Sequence, residues 1–266
     1  NAGIITQITI PDKLKEALAK VQDNVKKDFN ALNDSVKSSG RSYEFDSSEN
    51  PAEKFHISLA YISDEPTIVE KLKKDEFNMN RAMETAASSI QAFDLTENMH
   101  NAILFFLPGN KKYTQDEKPF WHVVVQPGGE SSLKPLAMSL KMALRKYKIP
   151  HKCQFRFTPH ITIGKLYPVN IKPNSLYFRK DLTPLRGKKV FDDFSQNELQ
   201  ESLTFKVDKF ELKIDEQYKD YQLGQPVSYS LWEKVCNVFY SIWRPIKIFF
   251  ITFWRWICSW FKCFKI

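Results

Sequence analysis

Two short segments, FHISLAYI and FTPHITIGKL, place His56 two residues before Ser58 and His160 two residues before Thr162. On a β-strand, residues i and i+2 share a face. Each segment therefore projects an imidazole and a hydroxyl side by side, while Ile57 and Ile161 turn into a core. Two such strands facing each other would form a groove holding two imidazoles and two hydroxyls. That set suits a phosphate ester. One imidazole takes a proton from the attacking oxygen and the other gives a proton to the leaving oxygen. The hydroxyls of Ser58 and Thr162 hold the non-bridging oxygens. An unperturbed imidazole titrates near ~6.5, so both protonation states are available at neutral pH. The sequence does not assign acid or base to either His.

A single His-x-Ser on a strand is commonplace. What sets this pair apart is that both members lie in apolar, strand-like runs preceded by similar elements. The other histidines, His100, His122 and His151, have no second ligand at metal spacing, so neither a metal site nor a cofactor is expected. His122, within WHVVV, is expected to face solvent or a polar neighbour. QPGGES at 126–131 lacks the Lys-Ser/Thr ending of a phosphate-binding loop and reads as a turn. Three residues stand as substrate-binding candidates. Lys165 follows the second motif. Arg156, four before His160, would share its strand face. Tyr61 would share the face of His56 only if its strand bends, and could then stack on a base.

The elements that must hold these groups can be read from periodicity. IITQITI at 4–10 is a strand, and Pro11-Asp12 opens a helix with Leu14, Ala17, Leu18, Val21, Val25 and Phe29 on one face. A polar loop is expected over 33–50, then the first His strand. The order recurs: a strand at 121–125, a break at Gly128-Gly129, a helix carrying Leu133, Leu136, Ala137, Leu140, Leu144 and Tyr147, then the second His strand in FRFTPHITIGKL. Between the halves, helices are expected at 66–75 and 79–92, with Met83, Ala87 and Ile90 as a buried stripe, and a strand at 102–107. Residues 168–200 read as polar and irregular, 203–214 as one strand, and DYQLGQPVSYS as another. The class is α+β with mostly antiparallel sheets.

Residues 231–266 differ from the rest. They carry Lys234, Arg244, Lys247, Arg255, Lys262 and Lys265 against Glu233, a net of +5 out of +8 for the whole chain. The body is therefore not a strongly basic nucleic-acid module. Of the four cysteines only Cys153 lies in the body, so no disulfide framework is expected and a reducing compartment is favoured. At about 100° per residue, the polar residues of 231–266 fill an arc of about 140°. Trp243 and Trp254 border that arc on one side and Trp256 and Trp260 on the other, with Phe253 on the apolar face and Arg244, Lys247 and Arg255 in the cationic stripe. This pattern describes a helix lying in a membrane interface. Arg255 cuts the longest apolar run well short of the ~18 residues a span requires. Two domains follow, 1–230 and 231–266. The chain does not begin with Met and so reads as a trimmed or processed product.

The body resembles the 2H phosphoesterase superfamily and, within it, the RNA 2′,3′-cyclic phosphodiesterase group, formerly called 2′-5′ RNA ligases. The likeness covers residues 4 to about 230. The opening strand with PDKLKEALAKVQ is similar to that group's start. FHISLAYI and FTPHITIGKL are similar to its two His-x-Ser/Thr strands, and FKVDKFELKI with YQLGQPVSY to its terminal hairpin. The resemblance implies a bilobal fold with a pseudo-twofold axis, two mostly antiparallel sheets flanking a central cleft with outer helices, and a metal-free site. It implies His56 and His160 as the acid/base pair, with Ser58 and Thr162 on phosphate. The group often has Arg where Lys165 stands. Lysine is a point charge and cannot make arginine's bidentate fork to phosphate.

The expected function is a metal-independent, monomeric phosphodiesterase acting on a 2′,3′-cyclic or 2′-5′-linked nucleotide, such as 2′-5′ oligoadenylate, or on an RNA end. The C-terminal helix is expected to hold it on the cytoplasmic face of an anionic membrane. The alternatives are an exonuclease trimming RNA 3′ ends with the same His pair, and a non-catalytic nucleotide-binding or membrane scaffold module.

Overall fold

Residues 4–9 alternate faces, and the strand they form, β1 (Ile4–Thr9), buries Ile4, Thr6 and Ile8 on one side. Gln7 and Thr9 go to the other. Pro11, in an extended conformation, ends the strand and opens α1 (Asp12–Val36). Leu14, Ala17, Leu18, Val21, Val25, Phe29, Leu32 and Val36 recur every three or four residues along its buried face. Gly40 closes the following single turn at φ 71°, a left-handed conformation glycine adopts without strain.

In the computed structural model the described residues are 3–95, 100–106, 120–126, 130–152, 157–171, 176–186 and 205–227. The chain divides into two units, Asn1–Gln225 and Pro226–Ile266. Arg156 and all the tail positions named above lie outside the described residues. Among the described residues no helix is long and apolar enough to cross a membrane.

The first unit holds two four-stranded antiparallel sheets. In the first, β1 is flanked by β9 (Lys209–Ile214) and β3 (His56–Ser63), and β10 (Gln217–Gln222) pairs outside β9. In the second, the order is β2 (Ser42–Asp46), β7 (Ile161–Val169), β6 (Trp121–Gln126), β5 (His100–Phe106). A small third pair joins β4 (Phe93–Leu95) to β8 (Phe205–Val207). The helices are exchanged between sheets. α1 follows β1 but packs on β2 and β7, whereas α4 (Glu130–Lys146) follows β6 but packs on β3 and on α3 (Glu76–Ser88). One continuous apolar core results, and each fully buried Leu, Ile or Phe in it contributes roughly 1.5–3 kcal/mol.

Five details depart from the expectations. The stretch 33–50 is not all loop, because α1 runs to Val36 and SYEFD pairs as β2 along β7, with Tyr43 buried. Helix α2 (Pro66–Lys74) is close to its expected span, but α3 begins at Glu76 and ends at Ser88, with Met79, Ala82, Met83, Ala86 and Ala87 buried. The second His strand starts only at Ile161, since Pro159 has no N–H to give a ladder and leaves His160 just before it. Asp208 divides 203–214 into β8 and β9, which pair with different sheets. Within 168–200 a short helix, α5 (Leu176–Leu182), sets Phe178 against Trp121 and Tyr43 at 4.2 and 6.0 Å between ring centroids.

Candidate active site

The two His strands lie against each other, β3 beside β7. Each carries its imidazole in the same local setting. His56 Nδ1 lies 2.8 Å from the Lys54 carbonyl, and His160 Nδ1 lies 2.9 Å from the Thr158 carbonyl. In both cases the partner is the carbonyl two residues earlier. A carbonyl only accepts, so each Nδ1 carries the proton and the Nε2 of each neutral ring holds the lone pair. His56 Nε2 lies 3.2 Å from Ser58 Oγ.

A second shared feature lies just past each hydroxyl. Between β1 and β3, Gln7 is opposite Ser58 but Thr6 is opposite Ala60, so Leu59 is an extra residue. Between β6 and β7, Val124 is opposite Thr162 but Val123 is opposite Gly164, so Ile163 is an extra residue. Each is a β-bulge, which turns the residue three beyond the hydroxyl back to the hydroxyl's face. In the first sheet that residue is Tyr61, opposite Ile5; in the second it is Lys165, opposite His122. The bend on which the Tyr61 expectation depends is thus present. Both bulges are served by polar side chains. Gln22 of α1 donates from Nε2 to the Ile163 carbonyl at 2.6 Å, and Thr6 donates to the Ala60 carbonyl at 3.4 Å.

Burial disfavours the imidazolium at both motif histidines. His56 is held below the ordinary imidazole range by desolvation, offset in part by the Lys54 carbonyl, and lowered further by the charges of Lys213 and His160, with Glu211 opposing. His160 is lowered by burial, with the Thr158 carbonyl opposing.

The remaining candidates divide by setting. Lys165 pairs with Glu49 and sits 5.0 Å from the Phe120 ring centroid. Tyr61 is drawn toward Asp64, and Lys152 lies between 2.6 Å from Asp64 and 6.0 Å from the Tyr61 ring. Burial, followed by that carboxylate, pushes the Tyr61 phenol far above its usual range. Among the described residues no group of three or more His, Cys, Asp or Glu is arranged to hold a metal ion.

Three groups beside these strands were not expected in the roles they take. Gln7, 6% exposed, donates from Nε2 to Glu211 at 3.0 Å beside Ser58. Gln22 supports the second bulge from a helix, beyond the reach of a strand-level reading. His122 was expected to face solvent or a polar neighbour. It has a polar neighbour, Lys165, opposite it on β7, and it is half-buried, with an Nδ1 that has no hydrogen-bond partner. Burial first, then the charges of His160 and Lys165, push it down to about 4. The alternation of WHVVVQ, with Trp121, Val123 and Val125 buried on one face, is the signal that could have placed it on the other.

No family model matches the chain, and no curated protein matches it. Solved structures do resemble it. Usb1 of Kluyveromyces marxianus is 16% identical over 84% of this chain and 97% of that one, with a TM-score of 0.49. TT0787 of Thermus thermophilus is 13% identical over 85% of this chain and 100% of that one, with a TM-score of 0.45. LigT of E. coli, solved with 3′-AMP, is 15% identical over 84% of this chain and 99% of that one, with a TM-score of 0.41. These three are 2H phosphoesterases. The functional reading rests on the site itself.

Proposed function

We propose that this chain is a phosphodiesterase that opens a 2′,3′-cyclic or 2′-5′-linked phosphodiester, on a nucleotide or an RNA end, by proton transfer between His56, His160 and the substrate. The observation that carries this reading is the matched pair of imidazoles. Each is clamped at Nδ1 by the carbonyl two residues back, each offers Nε2 for proton transfer, and the strands that carry them lie beside each other. Neutral, one Nε2 takes a proton from water as the water oxygen bonds to phosphorus. The other, protonated, gives its proton to the ribose oxygen as the P–O bond breaks. Each transfer is worth roughly 10²–10⁴-fold. Hydroxyls at Ser58 and Thr162 would meet the charge that grows on the non-bridging oxygens. Burial keeps both rings neutral in the free protein. The anionic substrate offsets that burial and raises whichever ring becomes the acid.

The tail gives the second part of the proposal. Residues 231–266, with Trp243, Trp254, Trp256 and Trp260 bordering a cationic stripe of Arg244, Lys247 and Arg255, lay the enzyme on the cytoplasmic face of an anionic membrane, and the body works as a monomer.

A substrate panel tests the catalytic reading: 2′,3′-cyclic AMP, 2′-5′ oligoadenylate and a 3′-tailed RNA, each with and without EDTA. Hydrolysis that persists with EDTA is expected. Inert behaviour toward all three would reject the reading, and loss of turnover with EDTA would reject its metal independence. For the tail, full-length protein should sediment with phosphatidylserine vesicles, and Phe253→Glu with Ile257→Glu should release it. Equal sedimentation of both would overturn the membrane assignment.

A further inference from the structure

Register orders the cleft face of the second sheet into a graded row. Thr162 is opposite Val124, and two pairs further on Lys165 is opposite His122. Beyond them Phe120 and Tyr167 meet at 5.7 Å between ring centroids. Phe120 also stands edge-on to His122 at 5.2 Å and 88°, and Lys165 lies over its ring. Two residues of strand span about 7 Å, so the Lys165–His122 pair sits about one nucleotide step past the hydroxyl that would bind the reacting phosphate.

The state of His122 follows from its surroundings. Its Nδ1 is buried and has no partner. An unpartnered N–H there costs more than an unpartnered lone pair, so the proton sits on Nε2. The ring stays neutral at physiological pH, because burial and the charges of His160 and Lys165 outweigh the carboxylate of Glu49. His122 is thus a fixed, uncharged donor beside a cation and an aromatic edge. It is unsuited to proton transfer and suited to holding an anion's oxygen or a base edge. The Glu49 carboxylate that neutralises Lys165 in the free protein is 61% exposed, so an incoming phosphate can displace it into solvent.

We propose that His122, Lys165, Phe120 and Tyr167 form a second subsite that binds the nucleotide next to the one carrying the reacting phosphate, so that the preferred substrate is an oligonucleotide rather than a cyclic mononucleotide. Lys165 and His122 take the neighbouring phosphate, and the Phe120–Tyr167 pair stacks on the adjoining base. This rests on the phosphodiesterase reading above.

The test compares kcat/KM for adenosine 2′,3′-cyclic phosphate with that for ApA bearing a terminal 2′,3′-cyclic phosphate. The wild type should favour the dinucleotide at least about tenfold. His122→Phe, which keeps an apolar ring but no donor, and Phe120→Ala should each pull that ratio toward one. His122→Gln, whose amide N–H stands near the position of Nε2, should restore part of it. Equal turnover of both substrates by the wild type sinks the subsite alone. So does a ratio that neither His122→Phe nor Phe120→Ala changes. Turnover of neither substrate sinks the phosphodiesterase reading, and the subsite with it.

Discussion

The strands carrying His56 and His160 share their chemistry and differ in their support. Both have the same carbonyl clamp at Nδ1, the same spacing to a hydroxyl and the same bulge beyond it. Yet β3 is the outer strand of its sheet, paired only with β1, while β7 is enclosed between β2 and β6. Around His56 the neighbouring groups are charged or amide: Glu211, Lys213 and Gln7. Around His160 and Thr162 they are an imidazole, a lysine and two aromatic rings. On the proposed reaction, the shared features serve proton transfer and the unlike ones serve the choice of substrate.

Apart from the imidazoles themselves, the largest expected effect tests the equivalence of the hydroxyls. Ser58→Ala and Thr162→Ala should each lower kcat by about 10²–10³-fold with 2′,3′-cyclic AMP. A large loss for one and none for the other would break the symmetry. Next comes the brace on the outer strand of the second sheet. Asp181, 8% exposed, accepts Arg41 Nε and Nη2 at 2.9 and 3.0 Å and the Tyr43 hydroxyl at 2.8 Å. Burial alone would raise its carboxyl, but these hydrogen bonds hold it below the usual range. Asp181→Ala leaves Arg41 and Tyr43 without this carboxylate and should cost about 3 kcal/mol in urea unfolding. A loss under about 0.5 kcal/mol would show that the brace is idle.

Gly164→Ala should cost about 1–3 kcal/mol, because a Cβ there collides with the Phe45 ring, itself stacked on Phe29 at 5.6 Å. Gln22→Ala, which strips the donor from the Ile163 carbonyl, should cost about 1–2 kcal/mol and weaken kcat as well, since that bulge aims Lys165. The smallest effect is on pH. Burial favours the neutral ring at both His56 and His160, so the proton each must share comes on below the ordinary range. The optimum of kcat/KM should then lie on the acid side of about 6.5 and fall as pH rises through neutrality. An optimum above pH 8 would contradict the burial of the pair.

The sequence discloses what depends on local periodicity. The helix face from Leu14 to Phe29, the inward turn of Ile57 and Ile161, and the recurrence of strand, helix and His strand are all legible. So is the placement of Ser58 beside His56. What stays hidden depends on partners distant in the chain. SYEFD is too short and polar to read as a strand until β7 pairs with it. The bulges at Leu59 and Ile163 leave no local mark, because an extra residue shows only against its neighbour strand. For that reason the sequence places Lys165 near the site without giving it a face, and it gives the histidine opposite a polar or solvent setting without naming its neighbour. The exchange of α1 and α4 between sheets is likewise a matter of docking, which an amphipathic pattern does not specify.

The most direct measurement is a double-mutant cycle on the two imidazoles, using single-turnover hydrolysis of 2′,3′-cyclic AMP. Groups that act as one unit lose nearly everything when either is removed. His56→Gln and His160→Gln should each cost about 10²–10⁴-fold, and the double variant little more than the worse single. Losses that multiply, or near wild-type turnover in either single variant, would show that the two rings do not share one reaction.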